Sequence, residues 1–286
     1  AMLEKKSILS TLFAAFKVIF VVFVFSRMYV PIIIIVYQSF NASANSRTPL
    51  LWGGFTLDNY KAIFTDRQLY VSILDSLLVA FWTTLIATVF GLFACIGIHA
   101  LNKKARKTRD FLNEIPMLSS DIVIGICRRI VFSLLRPIFP KVFGFTSRLI
   151  AHVFFTVPYV IRMVLPKLDQ SDESLFEAAI DLGCPPVKSL FKVIIPSLTT
   201  AILRGALIAF TLSIDDFVIS FYTQGNGFTN FSNYVYSSYT KKNFSAGSYA
   251  FNALLTFVTL LLVLLISLRS AKKKEKNRLL KRQKTK

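Results

Sequence analysis

The sequence predicts an all-α integral membrane protein with about six transmembrane helices. Three observations carry that expectation. Apolar runs of roughly twenty residues recur along the chain. Hydrophobic residues make up 54% of the 286 positions, 28 of them Phe, well above the composition of a water-soluble domain. The 34 Lys and Arg, set against 15 Asp and Glu for a net charge of +19, gather in short blocks beside the apolar runs, as they do where basic loops are held on the cytoplasmic side. A charge of that size would also suit nucleic acid, but the blocks lack the interleaved aromatic residues on which bases stack.

The first eleven residues read as a short cytoplasmic segment carrying Lys5 and Lys6. The apolar run from Leu12 to Tyr37 is long enough to cross about 30 Å of hydrocarbon. A basic start without a small-residue cleavage site favours an uncleaved first span over a signal peptide. Pro31 should kink it, and Arg27 near its middle costs about 2.5 to 3.5 kcal/mol unless it snorkels or pairs. From Gln38 to Tyr70 the chain is polar and reads as an external loop with a short amphipathic helix near Leu57 to Phe64. The second span covers Val71 to Ala100, where Ala87, Gly91 and Cys95 recur every four residues and leave a face that another helix can approach closely.

Lys103, Lys104, Arg106, Lys107 and Arg109 form the densest internal basic block and fix that loop inside. A third span is expected from Phe111 to Leu135, interrupted by Asp121, Arg128 and Arg129, and a fourth from Ser147 to Leu165 with Pro158 within it. The fifth is expected from Leu198 to Tyr222 and the sixth from Tyr249 to Leu268, separated by a second large external loop. The segment from Arg269 holds ten Lys or Arg and one Glu. It reads as a basic cytoplasmic tail, 269–286, attracted to anionic lipid at about 1 kcal/mol per residue. The external loops hold two or three basic residues each, so both termini are expected in the cytoplasm of a multi-pass cell-membrane protein, with residues 12–268 forming the membrane domain.

Chemistry of other kinds finds little support. Cys95, Cys127 and Cys184 lie far apart, which suits neither a disulfide framework nor a metal cluster. His99 and His152 stand singly, as interfacial or packed residues rather than ligands. No phosphate-binding G-x-x-x-x-G-K-[ST] loop occurs, so any ATP belongs to another chain. No grouped His, Cys or paired carboxylates suggest an enzyme.

Between the fourth and fifth spans lies a polar and amphipathic island, Ser174 to Pro196. Ser174 followed three residues later by Glu177 is a capping-box start, and Gly183 is a helix stop. A second helical segment can begin near Pro186, carrying Leu190, Phe191, Val193 and Ile194, with Pro196 marking its boundary. Ala178 and Ala179 leave a shallow surface, and Leu175, Phe176 and Leu182 offer apolar anchors. The bland reading is an amphipathic hairpin in a membrane-protein loop.

Glu177, Ala178, Ala179, Gly183 and the run Val193, Ile194, Ile195, Pro196 resemble the EAA loop of ABC importer permeases, which inserts into a groove of the cytoplasmic ATPase. Val193 and Ile195 stand where that family usually has isoleucine and leucine. Three further stretches, Tyr29 to Asn41, Ser120 to Ile124, and Phe210 to Ser220 followed by Gly225, are similar to the spermidine/putrescine importer permeases. The resemblance spans nearly the whole chain. It implies a type I ABC importer transmembrane domain with 174–196 as its coupling loop. It also implies a PotB-like second permease, a PotA-like ATPase dimer that holds the ATP and magnesium, and a PotD-like binding protein. Leu182 and Pro196 would join Glu177, Ala178, Ala179 and Gly183 in coupling to the ATPase. Arg27, Arg128 and Arg129 depart from that family's apolar or aromatic pattern.

Candidate substrate residues follow from charge. Asp215 and Asp216 lie deep in the fifth span, where a lone carboxylate is costly. On a regular helix Asp216 projects near the stripe Ala201, Gly205 and Ala209, and Asp215 points away. A carboxylate there has two readings. It touches a cationic solute, or it caps a helix break or pairs with Arg27, Arg128 or Arg129. A polyamine, with separated ammonium groups, would be guided by Asp121, Asp215 and Asp216, with Tyr159 and Tyr222 as weaker cation-π partners. An importer of an amino acid or an anion is the alternative.

Overall fold

The computed structural model describes the backbone of residues 2–44, 51–99, 113–138, 143–171, 174–223, 229–241 and 245–284, and within these the side chains of 13–268 except 174 and 175. The internal basic block, the Ser174–Glu177 capping box and the side chains of the basic tail fall outside what is described. Apart from an isolated bridge between Asn41 and Phe55, the regular structure in these ranges is helical. Five helices among the described residues have the length and composition to cross a membrane.

Two compact units emerge, one of residues 1–69 with 241–257 and one of residues 70–240 with 258–286. In the first, α1 (Met2–Ser39) runs through Pro31 without ending, and every side chain from 13 to 34 is exposed, as suits a helix whose partners are lipid or another chain. The segment that follows is organised by two buried amides. Asn41 accepts from Ser43 and Gly53 N–H at 3.1 and 2.9 Å and donates to Gln38 and Leu51, both at 2.8 Å. Asn59, on the short helix α2 (Asp58–Thr65), donates to the Ser39 and Asn41 carbonyls at 3.1 and 2.9 Å. Backbone groups that would otherwise face the membrane surface unsatisfied are thereby paired.

The second unit is built around α3 (Arg67–His99), α5 (Phe145–Asp169) and α7 (Pro186–Ile214). Their core joins Ala87 and Cys95 of α3, Val160, Val164 and Leu168 of α5, and Leu198 and Ala209 of α7. The small-residue stripes expected on the second and fifth spans both close on Val160. A Cβ at Gly91 would stand 2.7 Å from its Cγ1, and one at Gly205 3.3 Å. Dispersion at such close approach, rather than the hydrophobic effect, holds helices together in lipid.

Two expected spans are discontinuous. The third divides at Ser119–Ser120 into a helical segment, 113–118, and α4 (Asp121–Leu135), whose 15 residues rise only about 22 Å. The fifth begins at Pro186 rather than Leu198, passes through Pro196, and stops at Ile214. Pro196 therefore does not bound it. The turn ahead of the proline is widened instead, with Ile195 N–H bonded to the Leu190 carbonyl over a π segment, Leu190–Ile194, which removes the regular ladder from the place where Pro196 has no donor. After a break at 215–217 the short helix α8 (Val218–Thr223) follows. The chain continues through α9 (Phe231–Thr240) to α10 (Gly247–Lys284).

Candidate functional site

The break after α7 brings Asp216 together with the buried His152. Asp216 is the cap of α8: its carboxylate accepts from Ile219 N–H at 3.2 Å and Ser220 N–H at 2.7 Å. Asp, one of the strongest capping residues, satisfies donors that a six-residue helix cannot satisfy internally. The buried His152 ring stands against the same carboxylate, Nε2 to Oδ2 at 3.4 Å. That ring spans the break, with Nδ1 2.8 Å from Ser213 Oγ and Nε2 3.0 Å from Ser220 Oγ. The backbone of the break is held by the loop ahead of α9, since Asn230 Nδ2 donates to the Asp216 carbonyl at 2.7 Å while Phe231 N–H donates to Ser76 Oγ of α3 at 2.7 Å.

Two arginines bear on this centre. Arg148 is fully buried on α5 and faces Asp75 of α3 as well as Asp216. Arg128, half-buried on α4, faces Asp216 and Asp121. Membrane arginines at such depth persist only where carboxylates compensate them.

The structure thus separates the two adjacent acids. Because the helix does not stay regular through residue 216, Asp216 leaves the Gly205 face and turns to cap α8. Asp215 ends α7, its N–H bonded to the Thr211 carbonyl, and its side chain is exposed. Asp121 opens α4 and is also exposed. No hydrogen bond from a described residue reaches either of these two carboxylates.

Tyr222 closes over α4, where a Cβ at Gly125 would lie 2.8 Å from its ring. The Tyr159 ring packs against Phe155 at a tilt of 58°, with centroids 5.5 Å apart. Arg27 lies exposed on α1, and Arg129 is exposed on α4. The sequence reading singles out neither Asp75 nor Arg148, although an acid inside the second apolar run and an arginine opening the fourth are visible signals. It also leaves His152 as a packing residue. The pair Ser213 and Ser220, flanking the two acids, is the only local hint of its role.

The second surface is the knob between α5 and α7. Helix α6 (Ser174–Asp181) ends at Gly183, whose φ of 83° is left-handed. Gly183 N–H reaches the Ile180 carbonyl at 2.8 Å and Cys184 N–H the Ala179 carbonyl at 3.0 Å, the paired bonds of a Schellman stop. Phe176 and Leu190 anchor the knob on the core of the unit. Leu182 and Val187, by contrast, are 88% and 70% exposed, and Glu177 and Ala178 share the open side. An exposed apolar surface on a rigid turn suits docking more than solvation.

Residues 87–273 match the family described as "Binding-protein-dependent transport system inner membrane component". The chain belongs to that family. It is an ABC importer permease subunit of the type I fold and a multi-pass membrane protein. Over 206 residues it is 33% identical to the spermidine/putrescine transport system permease protein PotC of Haemophilus influenzae, covering 72% of this chain and 77% of that one. It is 28% identical to the putrescine transport system permease protein PotI of Escherichia coli, covering 78% and 79%. A solved bacterial ABC transporter for the import of alginate shares the fold at 15% identity and a TM-score of 0.68, over 95% of this chain and 99% of that one.

Proposed function

We propose that this permease subunit moves a polyamine into the cell, with ATP bound and hydrolysed on separate PotA-like subunits. The observation that carries the reading is the 33% identity to a spermidine/putrescine permease over 72% of the chain. The exposed carboxylates of Asp121 and Asp215 support it, since a flexible polycation is guided by separated acids, with Tyr222 and Tyr159 offering aromatic faces. Asp216 serves the pathway from behind, fixing the break that presents Asp215. A PotD-like binding protein delivers the amine to the external loops, and a PotB-like permease supplies the other half of the pathway. The knob of Glu177, Ala178, Ala179, Leu182 and Gly183 seats in the ATPase. Both termini then lie in the cytoplasm.

Uptake of labelled spermidine and putrescine into vesicles carrying the complete importer tests the reading. Asp121→Asn and Asp215→Asn should each lower amine uptake severalfold. Asp216→Asn, which still caps, should lower it less. The buried Arg148 and half-buried Arg128 favour one rival, an importer of an anion or amino acid. Uptake of such a solute that survives both outer Asn substitutions, with no amine entering, would establish the rival instead.

A further inference from the structure

Arg128 shares a helix with Asp121, one of the carboxylates proposed to guide the amine. On α4, Asp121, Gly125, Arg128 and Phe132 follow at spacings of four, three and four, which places them on one helical face. That face is fixed in position: Gly125 is buried beneath the Tyr222 ring, and Phe132 packs with Ala151, Phe155 and Ile219. The guanidinium consequently lies in the field of Asp216 and Asp121. Yet its Nη1 is buried without a hydrogen-bond partner among the described residues.

A guanidinium retained for structure normally spends its donors on a carboxylate in a forked pair. Here the Asp216 oxygens already serve the Ile219 and Ser220 N–H groups and His152. Arg128 is therefore a charge held mainly by field, beside the exposed Asp121.

We propose that Arg128 sets which amines the pathway favours: as a tethered cation it repels incoming ammonium groups and so selects doubly charged over triply charged amines. The proposal rests on the polyamine reading above. One guanidinium cancels the attraction of one carboxylate, and each further ammonium on the solute meets the same repulsion, so the penalty grows with the charge carried.

The experiment measures putrescine and spermidine uptake, two charges against three, by the complete importer in vesicles. Wild type, Arg128→Gln and Arg128→Lys are compared. The binding protein is common to all three, so its own preference cancels when the ratio of kcat/KM for the two amines is compared between variants. Arg128→Gln should raise the spermidine-to-putrescine ratio about tenfold, which corresponds to about 1.4 kcal/mol, chiefly through a lower KM for spermidine. Arg128→Lys should leave the ratio near that of the wild type.

A purely structural arginine predicts equal loss for both amines and an unchanged ratio, and that result overturns the proposal. Arg128→Met, which fills similar space without a buried amide, carries the same expectation if the Gln variant fails to assemble. Should Gln and Met both fail while Lys assembles, the charge is structural and the proposal falls. Wild-type importer that takes up neither amine removes the polyamine reading itself, whereas a constant ratio removes only the role of Arg128.

Discussion

Replacing Gly183 with Val tests whether the knob works as a rigid element. At a φ of 83° an L-residue brings its Cβ against the following carbonyl, at a cost of about 1–2 kcal/mol, and a β-branched residue stands at the upper end. Beyond the residue itself and its two chain neighbours, no described atom lies within 4 Å of where that Cβ would go, so no packing partner adds a clash and the penalty is wholly one of backbone conformation. It can be relieved only by leaving the left-handed region, which breaks the bonds of Gly183 and Cys184 to the Ile180 and Ala179 carbonyls. A cost of that size lowers the ratio of native to non-native knob roughly 5- to 30-fold. Gly183→Asn, whose side chain tolerates this conformation, should be mild. In vesicles carrying the complete importer, the Val variant should insert normally, lose most uptake, and hydrolyse ATP without stimulation by substrate; the Asn variant should keep most of both. Normal uptake together with normal stimulated hydrolysis in the Val variant would show that the geometry at this glycine does not matter for coupling.

Two other substitutions probe the second unit. Gly91→Ala places a methyl 2.7 Å from Val160 Cγ1, and such overpacking costs about 1–3 kcal/mol; the purified complex should melt at a lower temperature, and adding Val160→Ala should restore part of the loss. His152→Ala leaves the Ser213 and Ser220 hydroxyls and the Asp216 carboxylate each short of a partner, at about 1–3 kcal/mol for each buried group left unsatisfied, so a thermal melt unchanged from wild type would contradict the bridging role given to this ring.

What the sequence made legible was decided by composition. Helices α1, α3, α5 and α10 occupy apolar runs whose length alone specifies a crossing, and the small-residue spacing of Ala87, Gly91 and Cys95 pointed to the contact that Val160 makes. The break at 215–217 was legible only as one of two readings, a carboxylate capping a helix break, because the bonds that hold it are long-range. Asn230, fourteen positions away, holds the Asp216 carbonyl, and Ser76 holds the loop that carries Asn230 through the Phe231 amide. A periodicity argument treats each helix as local and so carries a regular turn through Asp215 and Asp216. Pro196 misleads for a similar reason: proline predicts an ending, yet a widened turn lets the helix absorb it. Of the site, the acids and the knob could be named from residue type, but which acid faces outward and which one caps depends on the course of the chain at residue 217.

The continuity of α7 has a mechanical corollary. Its 29 residues, Pro186 to Ile214, form a strut about 43 Å long, with the exposed Val187 near one end and the acids just past the other. A strut of that length pivoted at its knob end sweeps its far tip about 7 Å for a tilt of about 10°, so a small rocking where a motor would grip becomes a displacement the width of a solute. Near the gripped end the i→i+5 turn holds one surplus residue, and returning it to ordinary winding would spin the knob by about 100° around the long axis. Thrust along the strut and torque about it would thus be transmitted unequally, and the angle at which a partner seized the knob would set the share of each.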